Sequence, residues 1–185
     1  MLEQLLHFIK KPEYKSDNEL GSQGRWLMLG SLLAMALFIS LGIAMIISVL
    51  EQTANLDFGE HAIDQLFQEY GAPIIFIGVV ILAPILEELI FRGPLYLFRN
   101  SPYFGIIFYL FTLAFGFYHI TNFELTPTVL YLSPLLVAPQ LIIGLLLGYI
   151  RIRLGLIWAM MLHSCYNLVL IGPLITMKIL NMEIP

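Results

Sequence analysis

The sequence predicts an all-α fold, a polytopic membrane bundle of about five transmembrane helices, with six as the alternative. Of its 185 residues, 59% are hydrophobic and only 12% are charged, and the apolar residues form long uninterrupted blocks. Soluble domains contain about 25% charged residues. In lipid, a helix satisfies every backbone group within its own segment, and the short alternating strands of a β-barrel do not occur here.

Five segments are long enough to cross the hydrocarbon layer, which takes about 20 apolar residues. They cover residues 26–50, 72–97, 103–120, 128–150 and 154–177. The fourth contains Pro134 and Pro139, so we expect it to be kinked or partly re-entrant. Between the first two segments, residues 58–70 carry apolar side chains at helical spacing. They predict an amphipathic helix that lies on the outer surface.

The basic residues predict the orientation of these spans. Threading five spans puts eight of the nine basic residues at one end: Lys10, Lys11, Lys15, Arg25, Arg92, Arg99, Arg151 and Arg153. By the positive-inside tendency, that end and the amino terminus are cytoplasmic. The opposite loop, residues 51–71, has five acidic residues and neither Lys nor Arg. We therefore predict a cytoplasmic segment 1–25, one transmembrane domain 26–178 with its motif core at 72–170, and a short tail 179–185.

Charge and cysteine content exclude two classes of protein. The net charge is −4 and no dense basic run occurs, so no nucleic-acid partner is expected. Cys165 is the single cysteine, which excludes an internal disulfide.

The second span contains the motif Glu87-Glu88-x-x-x-Arg92. A charge at the bilayer centre costs about 2.5–3.5 kcal/mol, so ionisable residues there are functional candidates. Residues four apart share a helix face, and Glu88 is therefore expected to pair with Arg92. Glu87 points about 100° away and has no local partner. The alternative is that all three charges serve packing, or lie in the headgroup region with Arg92 extended towards water.

Other strongly polar side chains inside the predicted spans are few. Besides the two glutamates they are chiefly His119, Gln140, His163 and Asn167. Taken singly, such residues are usually interfacial or hold helices together. Together, a carboxylate and imidazoles can polarise water, and an amide and a second imidazole can hold an oxyanion. The same groups could bind zinc, although no His-Glu-x-x-His motif is present. Gly144-x-x-x-Gly148 predicts a close helix contact.

The three motifs together resemble the CPBP family of CAAX proteases and bacteriocin-processing enzymes, also called Abi. The matching motifs are Glu87-Glu88-x-x-x-Arg92, Phe115-x-x-x-His119 and His163-x-x-x-Asn167, each on its own predicted span and in family order. The flanking residues are also similar, namely Ala83-Pro84, Phe91-Arg92-Gly93, and Gly144, Gly148 and Arg151. The resemblance covers roughly residues 72–170.

This resemblance implies an intramembrane endopeptidase that cleaves a peptide or protein substrate at or within the membrane. Glu87 and His119 would activate water, and His163 and Asn167 would line an oxyanion hole. Glu88 and Arg92 would support this geometry. If a divalent metal such as zinc is present, its ligands would be Glu87, His119 and His163. The chain is short and most similar to small bacterial members, which implies the bacterial inner membrane.

Two further classes of function compete with the protease. One is a non-catalytic membrane scaffold or bacteriocin-immunity protein with the same fold. The other is a proton-coupled transporter with a relay of ionisable side chains, but five spans without an internal repeat argue against it.

The expected depths of the motif residues conflict with a shared site. Upright helices place His119 about 24 Å and His163 about 14 Å from the cytoplasmic end, at 1.5 Å per residue. Convergence therefore requires tilted helices, a broken helix near Pro84, or a third span shifted outward.

Overall fold

Helices account for the regular secondary structure of residues 1–17, 19–59 and 61–182, the part of the chain that the computed structural model describes. The α-helices are α1 Leu2–Lys10, α2 Ser22–Ala54, α3 Ala62–Glu69, α4 Ala72–Ile75, α5 Ala83–Phe91, α6 Phe104–Tyr118, α7 Pro127–Leu136, α8 Ala138–Leu154 and α9 Leu156–Ile179. Five stretches of this described part are long and apolar enough to span a membrane: Ser22–Ala54, Ala72–Tyr96, Phe104–Asn122, Pro127–Leu154 and Leu156–Ile179. The predicted all-α bundle is confirmed.

The second span is an irregular helix. Between α4 and α5 it passes through a π-helical segment, Phe76–Leu82, and after α5 it ends in a 3₁₀ turn, Pro94–Tyr96. Proline lacks an N–H and crowds the carbonyl four residues earlier, so wider turns just before Pro84 relieve that crowding. Short π segments often lie at functional sites. The irregular backbone therefore occurs where the sequence allows a broken helix.

The fourth span is kinked, as its prolines predict. The helices α7 and α8 meet at Val137, and Pro139 lies in the first turn of α8. Beyond the kink, α8 runs through the middle of the bundle and packs against α2, α6 and α9. Its buried side chains include Leu147 and Ile150, which are fully enclosed.

Two glycines of α8 allow α6 to approach closely, which confirms the predicted contact. A Cβ atom on Gly144 would lie 3.1 Å from Phe115 Cδ1, and one on Gly148 would lie 2.4 Å from Phe108 Cε2. The phenylalanine rings occupy the space that a side chain would need. This packing fixes the position of α6, which carries the second motif.

The amino-terminal segment holds a packed helix that its charged, polar composition does not predict. In α1, Leu5 and Phe8 are buried. The Phe8 ring makes edge contacts with Phe108 and Tyr149, at centroid distances of 5.1 and 5.2 Å. The helix is amphipathic, so its few apolar residues join the core while its charges remain outside.

The amphipathic helix predicted for residues 58–70 is present as α3, over a shorter range. Phe67 is its buried residue and packs with Ala72, Ile75, Val80 and Ile175. The acidic residue Glu60 of the predicted range lies outside the described residues. Because α3 packs against the second and fifth spans, it lies over the space between them.

Basic residues from separate segments meet at one end of the bundle. Arg151 Nε donates to the carbonyl oxygen of Arg92 at 3.2 Å, and Arg151 Nη1 donates to the Tyr14 hydroxyl at 3.3 Å. Arg153 Nη1 lies 3.3 Å from Asp17 Oδ1. These contacts tie the amino-terminal segment to the second and fourth spans. The cytoplasmic assignment of this end stays a prediction.

Candidate active site

The motif residues of three spans converge on one cavity of about 350 Å³. Its lining includes Glu87 from α5, His119 at the end of α6, and His163 and Asn167 from α9. The conflict in depth is thereby resolved, because the imidazoles of His119 and His163 both face Glu87. The assumption of regular helices was wrong for the second span, which contains a π-helical segment.

Glu88 lies at the centre of a buried network behind the cavity. Its Oε1 atom accepts hydrogen bonds from Arg92 Nη1 at 3.1 Å and from His163 Nδ1 at 3.0 Å. The side chains of Glu88 and Arg92 are 0% and 2% exposed. Arg92 also donates through Nη2 to the Gly144 carbonyl oxygen at 3.3 Å, and its guanidinium lies 3.8 Å from the Phe115 ring centroid. The predicted pair is present and links the second span to the third, fourth and fifth spans.

Glu87 has a different environment, although it is the adjacent residue. Its Oε2 atom lies 3.7 Å from His119 Nε2 and 3.8 Å from His163 Nε2, beyond hydrogen-bonding distance. Within the described residues this oxygen has no hydrogen-bond partner, and the side chain is 19% exposed. The carboxylate therefore faces two imidazole nitrogens across a gap, a looseness common in substrate-free active sites.

The tautomer of His119 follows from its backbone contact. His119 Nδ1 lies 2.8 Å from the carbonyl oxygen of Phe115, which can only accept a hydrogen bond. Nδ1 therefore carries a proton, and the neutral ring presents an unprotonated Nε2 towards Glu87. The four-residue spacing of this motif thus orients the imidazole.

Asn167 is tied to the irregular part of the second span. Its Nδ2 group donates to the carbonyl oxygen of Val79, in the π-helical segment, at 2.9 Å. A carboxamide has two N–H donors, so this contact uses one and leaves a second. Asn167 therefore both anchors the π segment and lines the cavity.

The metal alternative calls for a ligand set of Glu87, His119 and His163. In the described part of the chain, no group of three or more His, Cys, Asp or Glu side chains is arranged to hold a metal ion. His163 Nδ1 contacts Glu88, which leaves Nε2 as the nitrogen that could bind a metal. Zinc therefore stays a prediction that rests on the resemblance, and the chemistry can be written with side chains alone.

Besides Tyr118, Asn122 and Tyr166, two further polar residues outside the motifs line the cavity. His61 begins α3, where its Nδ1 accepts a hydrogen bond from the Ile63 N–H at 3.3 Å. Burial lowers the pKa of the His61 imidazole, an effect that Asp64 partly opposes. Gln140, in the first turn of α8, is the other. In sequence, His61 could have been found as a polar N-cap, whereas Gln140 is already among the strongly polar residues of the predicted spans.

An apolar groove of about 320 Å³ lies next to the cavity. Leu66, Val79 and Ala83 line both spaces. The outer part of the groove is lined by Tyr70 and Ile74, which are exposed. The groove and the cavity that contains Glu87 therefore share a wall.

A comparison with protein families covers the part of the chain that holds the site. Residues 69–169, more than half of the chain, match the family described as Type II CAAX prenyl endopeptidase Rce1-like. No curated protein and no solved structure matches the chain. The matched range contains all three motifs, and it confirms the resemblance that these motifs indicate.

Proposed function

Because the chain belongs to the Type II CAAX prenyl endopeptidase Rce1-like family, we propose that it is an intramembrane endopeptidase whose general base is Glu87. Membership of a protease family implies a protein substrate at the membrane. The observation that carries the residue roles is the Glu87 carboxylate, which faces two imidazole nitrogens and has no hydrogen-bond partner at Oε2 among the described residues.

The reaction starts with a water molecule held between a carboxylate oxygen of Glu87 and His119 Nε2. Both atoms accept hydrogen bonds, so they orient the two water protons and leave an oxygen lone pair for the substrate carbonyl. Glu87 takes one proton as the water oxygen bonds to the carbonyl carbon. It then returns this proton to the leaving nitrogen as the C–N bond breaks, which yields a carboxylic acid and an amine.

The oxyanion formed in between is stabilised by His163 and Asn167. Asn167 supplies its second N–H, since the first is bound to Val79. His163 donates to Glu88 through Nδ1, so it needs protons on both ring nitrogens to donate through Nε2 as well. Donors placed at a developing oxyanion are worth about 10²–10³ in rate each.

The net charge of the site is consistent with this protonation. Two carboxylates, Glu87 and Glu88, stand beside the single guanidinium of Arg92. A cationic His163 brings the sum to zero, and an enclosed site in a membrane favours such neutrality because unpaired charge is costly there. Glu88 therefore affects the reaction by stabilising the protonated His163, and Arg92 affects it by holding Glu88 in place.

The groove supports a substrate that is apolar near the scissile bond. It shares a wall with the cavity, formed by side chains that line both. A hydrophobic part of the substrate can occupy the groove while the peptide bond lies at Glu87. This arrangement suits a substrate that reaches the site from the membrane.

The experiment is cleavage of a peptide library, with prenylated CAAX peptides included, by the purified protein in detergent or liposomes. Glu87→Ala and His119→Ala are expected to abolish or strongly reduce cleavage. Glu3→Ala and His7→Ala are matched controls, because both residues are exposed on α1. Elemental analysis and chelator treatment of the same sample test the zinc alternative.

Cleavage that persists at full rate in both site variants would exclude these roles. If no peptide is cleaved, and a protective phenotype in cells survives both substitutions, the immunity alternative is favoured. Activity in a metal-free sample would exclude a required zinc ion.

A further inference from the structure

Gln140 is a polar residue of the cavity to which the reaction above gives no role. Its Oε1 atom is buried, and no hydrogen-bond partner for it is found in the described ranges. A buried amide oxygen without a partner costs roughly 1–3 kcal/mol. Its side chain nevertheless lines the same cavity as Glu87, His119 and His163.

The position of Gln140 on α8 directs it to the site. Residues four apart share a helix face, and one turn further along this face is Gly144. The Gly144 carbonyl oxygen accepts from Arg92, and a Cβ atom added to Gly144 would lie 3.1 Å from Phe115 Cδ1. Ile143, the neighbour of Gly144, also lines the cavity. The face of α8 that bears Gln140 therefore packs against the first two motifs.

The size of the cavity limits what Gln140 can contact. At about 350 Å³, it lies near the lower end of ligand pockets, which span about 300–1,000 Å³. A substrate segment held against Glu87 lies within this space. It also comes close to the other polar groups of the lining.

We infer that Gln140 is a substrate-binding residue whose Oε1 accepts a hydrogen bond from a backbone N–H next to the scissile bond. An extended peptide presents both carbonyl oxygens and N–H groups. In the proposed reaction His163 and Asn167 donate to the carbonyl oxygen, so the peptide N–H groups need an acceptor. Gln140 supplies one that is buried and unengaged. This inference rests on the proposed function and adds a contact that holds the substrate backbone.

The test combines a protein variant with a change in the substrate. In the best-cleaved peptide, each backbone N–H except that of the scissile bond is replaced in turn by an ester oxygen. With the wild-type protein, one position is expected to lose about tenfold in kcat/KM, as for one lost hydrogen bond. In Gln140→Met, which keeps size and removes the acceptor, KM is expected to rise about tenfold and this ester penalty to disappear.

Two further variants make the comparison specific. Gln140→Asn keeps a carboxamide one methylene shorter and is expected to retain part of the ester penalty. Gln52→Met is the matched control, because Gln52 is exposed on α2 and its side chain bonds to Ser48 on the same helix. The affinity of the ester series for the Glu87→Gln protein measures the same contact without turnover.

The outcomes separate this inference from the proposed function. If Glu87→Gln cleaves as fast as wild type, the proposed function fails. If Glu87→Gln is inactive while the ester penalties in Gln140→Met equal those of wild type, only the contact with Gln140 is excluded. A fall in thermal midpoint and kcat with unchanged KM would make Gln140 a structural residue and would also overturn the inference.

Discussion

Glu87 and Glu88 are consecutive residues of one helix and belong to two different regions of the site. Glu88 is fully buried and bonded to Arg92 and His163 at 3.0–3.1 Å. Glu87 is partly exposed in the cavity, with both imidazole nitrogens at 3.7–3.8 Å. The region around Glu88 is a closed ion-pair network, whereas the region around Glu87 is open to a ligand.

This difference shows how one sequence motif produces two roles. A turn of about 100° per residue separates the two side chains. Glu88 then lies in the packed interface of α5, α6, α8 and α9, and Glu87 lies in the cavity lining. The same chemical group becomes structural in the first place and reactive in the second. Substitutions on the two sides should therefore have different effects on stability and on cleavage.

The largest expected effect is on catalysis, from Glu87→Gln. Loss of a general base lowers rates by about 10²–10⁴. The thermal midpoint should stay near that of wild type, because at Oε2 the Glu87 carboxylate accepts no hydrogen bond from the described part of the chain. Peptide cleavage and thermal unfolding in detergent measure both quantities. If the variant keeps more than a tenth of the wild-type cleavage rate, Glu87 is not the general base.

The next largest effect is on stability, from Arg92→Met. The substitution leaves a buried carboxylate without its guanidinium, which costs about 3–5 kcal/mol in free energy of unfolding. Denaturant unfolding measures this loss, and Arg99→Met is the control because Arg99 is exposed. Adding Glu88→Gln to Arg92→Met should restore part of the stability without restoring cleavage. A double variant no more stable than the single one would argue against the ion pair as the cause.

A smaller effect, on both quantities at once, is expected from Gly144→Ala. The new methyl group would lie 3.1 Å from Phe115 Cδ1 and 3.3 Å from Arg92 Nη2. It would therefore crowd both the network around Glu88 and the helix that carries His119. Overpacking of this kind costs about 1–3 kcal/mol. Gly148→Ala is the matched variant, since its methyl group meets Phe108 instead.

Both glycine variants should lose stability, but cleavage at a temperature where both are folded should fall only for Gly144→Ala. Thermal midpoints and cleavage rates are measured on the same samples. Equal loss of cleavage in the two variants would mean that the site responds to general destabilisation.

The smallest expected effect is on the KM for apolar peptides, from Gly78→Phe in the groove next to the Glu87 cavity. Gly78→Phe places a ring in the groove, where a Cβ atom meets nothing within 4 Å. Cleavage of apolar peptides should fall about tenfold through KM, as for a change in pocket shape, with stability unchanged. Gly30→Phe is the control, an exposed glycine of α2 with equally open surroundings. Equal KM values in the two variants would exclude the groove as a binding surface.

Several features of the site were predictable because they are local. The pairing of Glu88 with Arg92 and the orientation of His119 by Phe115 both follow from a spacing of four residues on a helix. The spans were predictable from hydropathy to within a few residues at most ends. Such features depend on neighbouring residues, which a sequence displays directly.

Other contacts were not predictable because they join distant segments. His163 bonds to Glu88 from 75 residues away, and Asn167 bonds to Val79 from 88 residues away. The second contact depends on a π-helical segment that periodicity does not reveal. The packing of Phe8 against Phe108 likewise needs a partner on another helix. These contacts depend on tilt, depth and backbone irregularity.

The sequence by itself determined that this protein is a membrane-spanning helical bundle with two adjacent carboxylates on different helix faces. Apolar length and residue spacing are sufficient for that conclusion. Backbone groups in lipid must be satisfied within a helix, and the turn per residue of a helix fixes the angle between adjacent side chains. The four-residue spacing also predicted that Glu88 pairs with Arg92 and that Glu87 has no local partner. Only the tertiary structure decided how deeply each carboxylate is buried and which distant side chains it meets. Burial depends on the neighbours that tilted, kinked helices bring together, so Glu88 became the buried support and Glu87 the open carboxylate.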